Sequence, residues 1–242
     1  MLLMPRPLTL GGLDCVLFAP PEGRAEGLGV FCHGFGAPGD DLVPLGAEIL
    51  AAPGTESLAL LFPAAPLSLA DEGMPGGRAW WPLDLSRLAT GAPLDAGELS
   101  RRVPPGSAEA AAALREAVTG CAERLGLTPA RVVLGGFSQG AMVACECACR
   151  SGDAWAGLCL LSGAPLDLAR WGRQARGLAG RPVLQTHGRM DPVLPYEGAE
   201  MVRDTLAAAG LRVDFRPFMG GHTIPPEALG ALPGFLRTAA GL

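Results

Sequence analysis

Gly136-Phe137-Ser138-Gln139-Gly140 decides the reading of this chain. It follows directly on Arg131-Val132-Val133-Leu134-Gly135, an apolar stretch that reads as a strand, and runs straight into Gln139 to Arg150, which reads as a helix. A serine between two glycines at a strand-to-helix turn is the arrangement of a nucleophile elbow. Such a turn holds the serine in a strained backbone conformation and exposes its Oγ at the carboxyl end of a strand. Gly136 and Gly140 are the positions where a side chain would collide with the neighbouring strand or helix. In a chain with 35 glycines the five letters alone can arise by chance. The flanking strand and helix are what give them weight.

Working outward, apolar and polar periods alternate between strand and helix. Leu8 to Ala19 reads as one or two edge strands, Leu28 to Cys32 as a core strand, Asp40 to Ala51 as a helix and Ser57 to Phe62 as a short apolar strand. Ser107 to Leu125 is an amphipathic helix with Leu114, Ala117, Val118, Cys121 and Leu125 on one face and Gly126 as its stop. After the elbow come a strand at Ala156 to Leu161, a strand at Pro182 to Thr186, a helix at Tyr196 to Ala209 closed by Gly210, a strand at Leu211 to Arg216 and a last helix at Ile224 to Ala239. Repeated strand and helix units imply an α/β fold with a mostly parallel central sheet and helices on both faces. With 242 residues, 49% hydrophobic, and neither an internal repeat nor a dividing linker, the whole of 1–242 is expected to be a single domain.

The segment from about 63 to 105 breaks the rhythm. It is rich in Pro, Gly and Ala, lacks clean periodicity and contains Trp80-Trp81-Pro82-Leu83-Asp84. Long connections of this kind are often binding loops or lids, and two adjacent tryptophans need apolar cover, which a substrate cleft supplies. The alternative is an insertion packed on the domain's own surface.

An elbow serine works only with a base and an acid, and in this type of fold both follow it at strand ends, acid before histidine. Of the three histidines His33, His187 and His222, the last two lie after Ser138. Asp191 lies in the loop after the strand at Pro182 to Thr186, and His222 follows the last strand in Met219-Gly220-Gly221-His222-Thr223. Among the other downstream carboxylates, Glu200 and Asp204 lie on a helix and Asp214 in a strand. Ser138, Asp191 and His222 are therefore the expected nucleophile, orienting acid and base. Two backbone donors for an oxyanion are expected from Gln139, at the positive end of its helix, and from Phe35 in Cys32-His33-Gly34-Phe35-Gly36. His33 and His187 read as loop-fixing hydrogen bonders.

Composition excludes several other functions. A net charge of −5 with no block of Lys or Arg argues against nucleic acid or an anionic membrane as partner, and no apolar run is long enough to span a bilayer. Met1 to Arg6 lacks the features of a secretory signal, so a cytoplasmic protein is expected. The seven cysteines fall in strands or helices, which suits reduced buried thiols. Cys145-Glu146-Cys147-Ala148-Cys149 spreads its thiols around a helix with no Cys-x-x-Cys spacing, so packing is expected there and no metal. Gly34-Phe35-Gly36 does not continue into a nucleotide loop, and no cofactor is required.

These motifs together resemble the phospholipase/carboxylesterase family of α/β-hydrolases, the group of acyl-protein thioesterases and small bacterial carboxylesterases. The resemblance rests on His33-Gly34-Phe35-Gly36-Ala37 with Asp40-Asp41, on Gly135 to Ala141, on His187-Gly188 with Asp191-Pro192-Val193-Leu194-Pro195, and on Gly220-Gly221-His222. Arg78-Ala79-Trp80-Trp81 is similar to the Arg-x-Trp element before the family's substrate loop. It runs from about residue 27 to the C-terminus. It implies an α/β-hydrolase fold, the triad Ser138, Asp191 and His222, and the oxyanion donors Phe35 and Gln139. Departures are the Ala141-Met142 that follows the elbow, where thioesterases tend to keep another glycine, and the segment 63–105.

The leading expectation is a serine hydrolase that cleaves carboxylic esters of small or acyl-chain substrates through an acyl-enzyme, as monomer or homodimer. Trp80, Trp81, Met190, Val193 and Leu194 are expected to form its apolar substrate cleft. Acyl thioester or lysophospholipid hydrolysis is the nearest variant. A non-catalytic binding protein on the same fold is the reading from another class, and a dienelactone-type hydrolase is disfavoured because it would carry cysteine at the elbow.

Overall fold

The structure is a computed structural model that describes residues 4–83 and 95–242. Its centre is an eight-stranded sheet in the order β1-β2-β4-β3-β7-β8-β9-β10. The strands are β1 (Arg6–Leu10), β2 (Leu13–Phe18), β3 (Gly27–Cys32), β4 (Leu58–Pro63), β7 (Val132–Phe137), β8 (Gly157–Leu161), β9 (Pro182–Gly188) and β10 (Arg212–Phe218). From β4 to β10 all neighbours are parallel; β1 and β2 form an antiparallel edge, so Leu8 to Ala19 holds two strands joined by the turn at Gly11-Gly12. This is the α/β-hydrolase arrangement.

The inner strands carry apolar residues on both faces because both faces are covered. In β7, Val132 and Leu134 join one core and Val133 the other; in β8, Leu158 and Leu160 join the first, Cys159 and Leu161 the second. On the first side lie α3 (Ser107–Arg124), α4 (Gln139–Ser151), α5 (Leu168–Gln174) and α6 (Tyr196–Ala208). On the second lie α1 (Val43–Leu50) and α7 (Pro226–Ala240). The helix α5 was not expected from the sequence; its signal is Asp167, whose side chain caps the helix by accepting from the Arg170 N–H.

Helix α4 is buried on every side from Gln139 to Cys149. Its three thiols are packed among neighbouring elements, and all seven cysteines of the chain are unbridged and buried. Burial pushes the thiols of Cys15, Cys121 and Cys147 up to about 12, so they stay protonated. The same helix buries Glu146, whose carboxylate takes hydrogen bonds from Arg170 Nη2 at 2.8 and 2.9 Å, from Trp171 Nε1 at 2.6 Å and from Arg150 Nε.

Within the 63–105 segment, β5 (Leu67–Ser68) pairs with β6 (Arg78–Ala79), and a short helix α2 (Ala96–Leu99) precedes α3. Residues 84–94 of that segment lie outside the described residues.

At the elbow, β7 and α4 meet in one residue. Ser138 has φ 55° and ψ −122°, outside the regions a serine ordinarily adopts, and its N–H is tied to the Leu161 carbonyl at 2.9 Å. The turn works only because nothing but hydrogen stands at its flanks. A Cβ on Gly140 would lie 1.9 Å from the Cys32 oxygen, and one on Gly136 would lie 2.4 Å from the same atom. Helix propensity alone credits Gly→Ala inside a helix with about 1 kcal/mol of stabilisation. Here the clash with β3 backbone outweighs it, and Gly140→Ala is expected to destabilise by roughly 1–3 kcal/mol or more. Urea unfolding of the two proteins measures the sign; a stabilised variant would contradict the close approach.

Candidate active site

Three loops at the carboxyl end of the sheet converge on Ser138. His222 Nε2 lies 2.9 Å from Ser138 Oγ, and His222 Nδ1 lies 2.7 Å from Asp191 Oδ2. The carboxylate can only accept, so the proton sits on Nδ1 and Nε2 is left to accept from the serine hydroxyl. The other carboxylate oxygen, Oδ1, takes the N–H groups of Val193 at 2.8 Å and Leu194 at 2.9 Å. Burial by itself would raise the Asp191 pKa, but His222 and these backbone donors outweigh it and hold the carboxyl below its usual range. Phe137 packs on the His222 ring at 4.8 Å between centroids.

The His222 loop is held from two sides. Met190 N–H donates to the Gly220 carbonyl at 3.0 Å, joining it to the Asp191 loop. Ser162, at the end of β8 with φ 50°, donates its hydroxyl to the Thr223 carbonyl at 3.1 Å. Ser162 is not among the residues expected from the sequence; its position directly after a strand at this end of the sheet is the signal that marks it.

Phe35 and Gln139 both border the cavity beside Ser138. Gln139 is the first residue of α4, where N–H groups precede the helical ladder. Gly34 brings the Phe35 loop so close that a Cβ there would sit 3.3 Å from Ser138 Cβ. His33 fixes the loop as expected of it: Nε2 accepts from the Ala65 N–H at 2.9 Å, so Nδ1 carries the proton and donates to the Gly34 carbonyl at 2.8 Å. Its burial lowers its pKa and keeps it neutral.

A cavity of about 200 Å³ opens on Ser138 and His222. Its wall is apolar, built from Trp81, Leu83, Leu99, Pro104, Met142, Leu166, Val193 and Leu194 beside Phe35, with Arg102 the charged side chain among its described lining residues. Of the five residues expected to form the cleft, Trp81, Val193 and Leu194 line it, whereas Trp80 and Met190 do not. Trp80 is buried behind it because its indole N–H donates to the His33 carbonyl at 3.0 Å. Met190 is 61% exposed at the tip of the Asp191 loop. The Trp80-Trp81 backbone is gripped by the Gln139 side chain, which accepts from Trp80 N–H at 3.0 Å and donates to the Trp81 carbonyl at 2.9 Å. Nothing in the local sequence pattern announced this clamp. Among the described residues no cluster of three or more His, Cys, Asp or Glu is placed to hold a metal, and no helix is long and apolar enough to cross a membrane.

Comparison with known proteins places the chain in a family. Acyl-protein thioesterase 1 of Gibberella zeae is 32% identical over 125 residues, covering 46% of this chain and 49% of that protein. The chain thus aligns with about half the length of the curated relatives it matches. Among solved structures, esterase PE8 has a TM-score of 0.78 at 28% identity, covering 94% of this chain and 99% of that one. A carboxylesterase from Mesorhizobium loti shares the fold, with a TM-score of 0.71 at 20% identity and coverage of 96% and 98%. The model of the Phospholipase/Carboxylesterase family matches residues 13–240, and the chain belongs to that family.

Proposed function

We propose that this protein is a serine esterase that cleaves carboxylic esters through an acyl-enzyme on Ser138. The observation that carries the proposal is the hydrogen-bonded line Ser138–His222–Asp191, with links of 2.9 and 2.7 Å, at one side of an apolar cavity. In the first half-reaction Ser138 Oγ bonds to the ester carbonyl carbon while its proton passes to His222 Nε2. The N–H groups of Phe35 and Gln139 receive the charge that develops on the carbonyl oxygen. The tetrahedral adduct collapses as the alkoxide leaves with the proton from Nε2. Water, deprotonated in the same way, then attacks the acyl-enzyme and restores the serine. Asp191 stays ionised throughout and stabilises the imidazolium.

The cavity is small and apolar, which favours short acyl chains over long ones. Thioesters are the second reading, supported by the likeness to an acyl-protein thioesterase over half the chain. A cytoplasmic monomer or homodimer acting on small molecules remains our expectation for its setting.

A fluorophosphonate probe should label the wild-type protein and leave Ser138→Ala unlabelled. Absence of labelling in folded wild-type protein would favour a non-catalytic binding protein. Asp191→Asn should keep the fold but lower kcat by on the order of 10⁴, because the amide favours the wrong imidazole tautomer; activity within tenfold of wild type would remove Asp191 from the mechanism. Across p-nitrophenyl esters, kcat/KM should be highest between acetate and hexanoate and fall for decanoate and palmitate. A steady rise to palmitate would show that long acyl chains are the fitting substrates.

A further inference from the structure

His187 has no part in the reaction as written, yet it touches the acid that does. It is completely buried at the end of β9. Its Nε2 lies 3.0 Å from the Leu194 carbonyl oxygen and 3.3 Å from Asp191 Oδ2, the same oxygen that receives His222 Nδ1–H. Both neighbours of Nε2 can only accept, so Nε2 must carry the ring proton and share it between them. Nδ1 has no hydrogen-bond partner among the described residues and is left bare.

We infer that His187 is a positioning residue for the acid. Its single N–H fastens both ends of the turn Asp191-Pro192-Val193-Leu194. At one end the turn is closed by the Val193 and Leu194 N–H groups on Asp191 Oδ1; at the other the Leu194 carbonyl is drawn onto His187. With His187 included, Asp191 receives four N–H donors, which matches the capacity of a carboxylate. The carboxylate then has no rotation open to it that does not break a hydrogen bond, and His222 is held with Nε2 toward Ser138. Because Val193 and Leu194 also line the cavity, the same contact fixes a part of its wall.

For this role the imidazole must stay neutral. A cation there would compete with the His222 imidazolium for the same carboxylate oxygen. The surroundings keep it neutral: burial lowers its pKa and outweighs the opposing influence of the Leu194 carbonyl and of Asp191, and the nearby His222 lowers it further. From α6, Tyr196 packs its ring edge-on at 6.3 Å, and the Arg189 guanidinium caps that ring at 4.9 Å.

The inference rests on the triad proposed above. It is tested first in the unaltered protein by ¹⁵N NMR of the histidine rings. His187 should appear as the neutral Nε2–H tautomer at pH 7 and above; an Nδ1–H tautomer or an imidazolium there overturns the proposal. The second test compares His187→Leu, which has no donor, with His187→Gln, whose amide nitrogen reaches about as far as Nε2. In His187→Leu, kcat for p-nitrophenyl acetate should fall by up to about 10²-fold, as for other small misplacements of reacting groups, with KM changed far less. The acid limb of kcat/KM should move to higher pH, since a carboxylate with one donor fewer binds the His222 proton more tightly. His187→Gln should recover most of both. Wild-type kcat and pH profile in folded His187→Leu, or equal damage in both variants, overturns the positioning role. Activity retained in Asp191→Asn would instead strike at the triad itself and leave the NMR result standing.

Discussion

The Cys32 carbonyl is the point on which the site is assembled. Two glycines of the elbow press against it, so closely that a Cβ on either would fall within 2.4 Å of its oxygen. This approach sets β7 and the start of α4 hard against the end of β3. The consequence is that the residues after β3, His33 to Gly36, arrive beside Ser138 without a choice of path. What fixes them there is a set of polar contacts that a buried loop requires. His33 binds the Ala65 N–H and its own Gly34 carbonyl, Trp80 Nε1 binds the His33 carbonyl, and Gly36 N–H binds the Arg78 carbonyl. Gln139, directly after the nucleophile, closes the circuit by gripping the backbone of Trp80 and Trp81 with both ends of its amide. Ser138, the loop after β3 and one wall of the cavity are therefore a single hydrogen-bonded body.

Asp191 and His222, the acid and base of the proposed triad, belong to a second body built on β9 and β10. The Gly188 backbone approaches Gly220 and Gly221 so closely that a Cβ on it would stand 2.3 to 2.4 Å from their oxygens. Arg189 and Met190 continue the contact by donating to the Phe218 and Gly220 carbonyls at 2.9 and 3.0 Å. The two bodies meet through Ser162, whose hydroxyl ties the residue after His222 to the end of β8, while the Ser138 N–H is tied to Leu161 one residue earlier. The 2.9 Å contact between Ser138 and His222 is thus set from both sides by adjacent residues of one strand end.

Most of this was legible because the sequence patterns follow from geometry. Strand period, the glycines around Ser138 and the order of Asp191 before His222 each express a local requirement. So does the reading of His33 as a fixer of its loop. The misplaced residues were those whose position depends on a partner far away in the chain. Trp80 looked like a cleft residue because two adjacent tryptophans need apolar cover; its place behind the cavity is decided by the His33 carbonyl, 47 positions away. The cavity wall at Leu99, Arg102, Pro104 and Leu166 comes from segments without periodicity, so no local pattern marked it. Helix α5 is short and its start shows only in the Asp167 cap.

Two buried carboxylates in this fold show why one suits the proposed reaction and the other does not. Glu146 is neutralised by two arginines, with Trp171 as a further donor, so its charge is already compensated within the resting protein. A carboxylate satisfied in this way stabilises packing and has little attraction left for a new cation. Asp191 is held instead by two backbone N–H groups and by the ring N–H groups of His222 and His187. These meet its hydrogen-bonding needs and keep it ionised, and among the described residues no arginine is paired with it. In the proposed reaction, the positive charge that completes the pair appears when His222 takes the serine proton. The interaction is therefore stronger in the transition state than in the ground state, which is the condition for an electrostatic contact to accelerate a reaction.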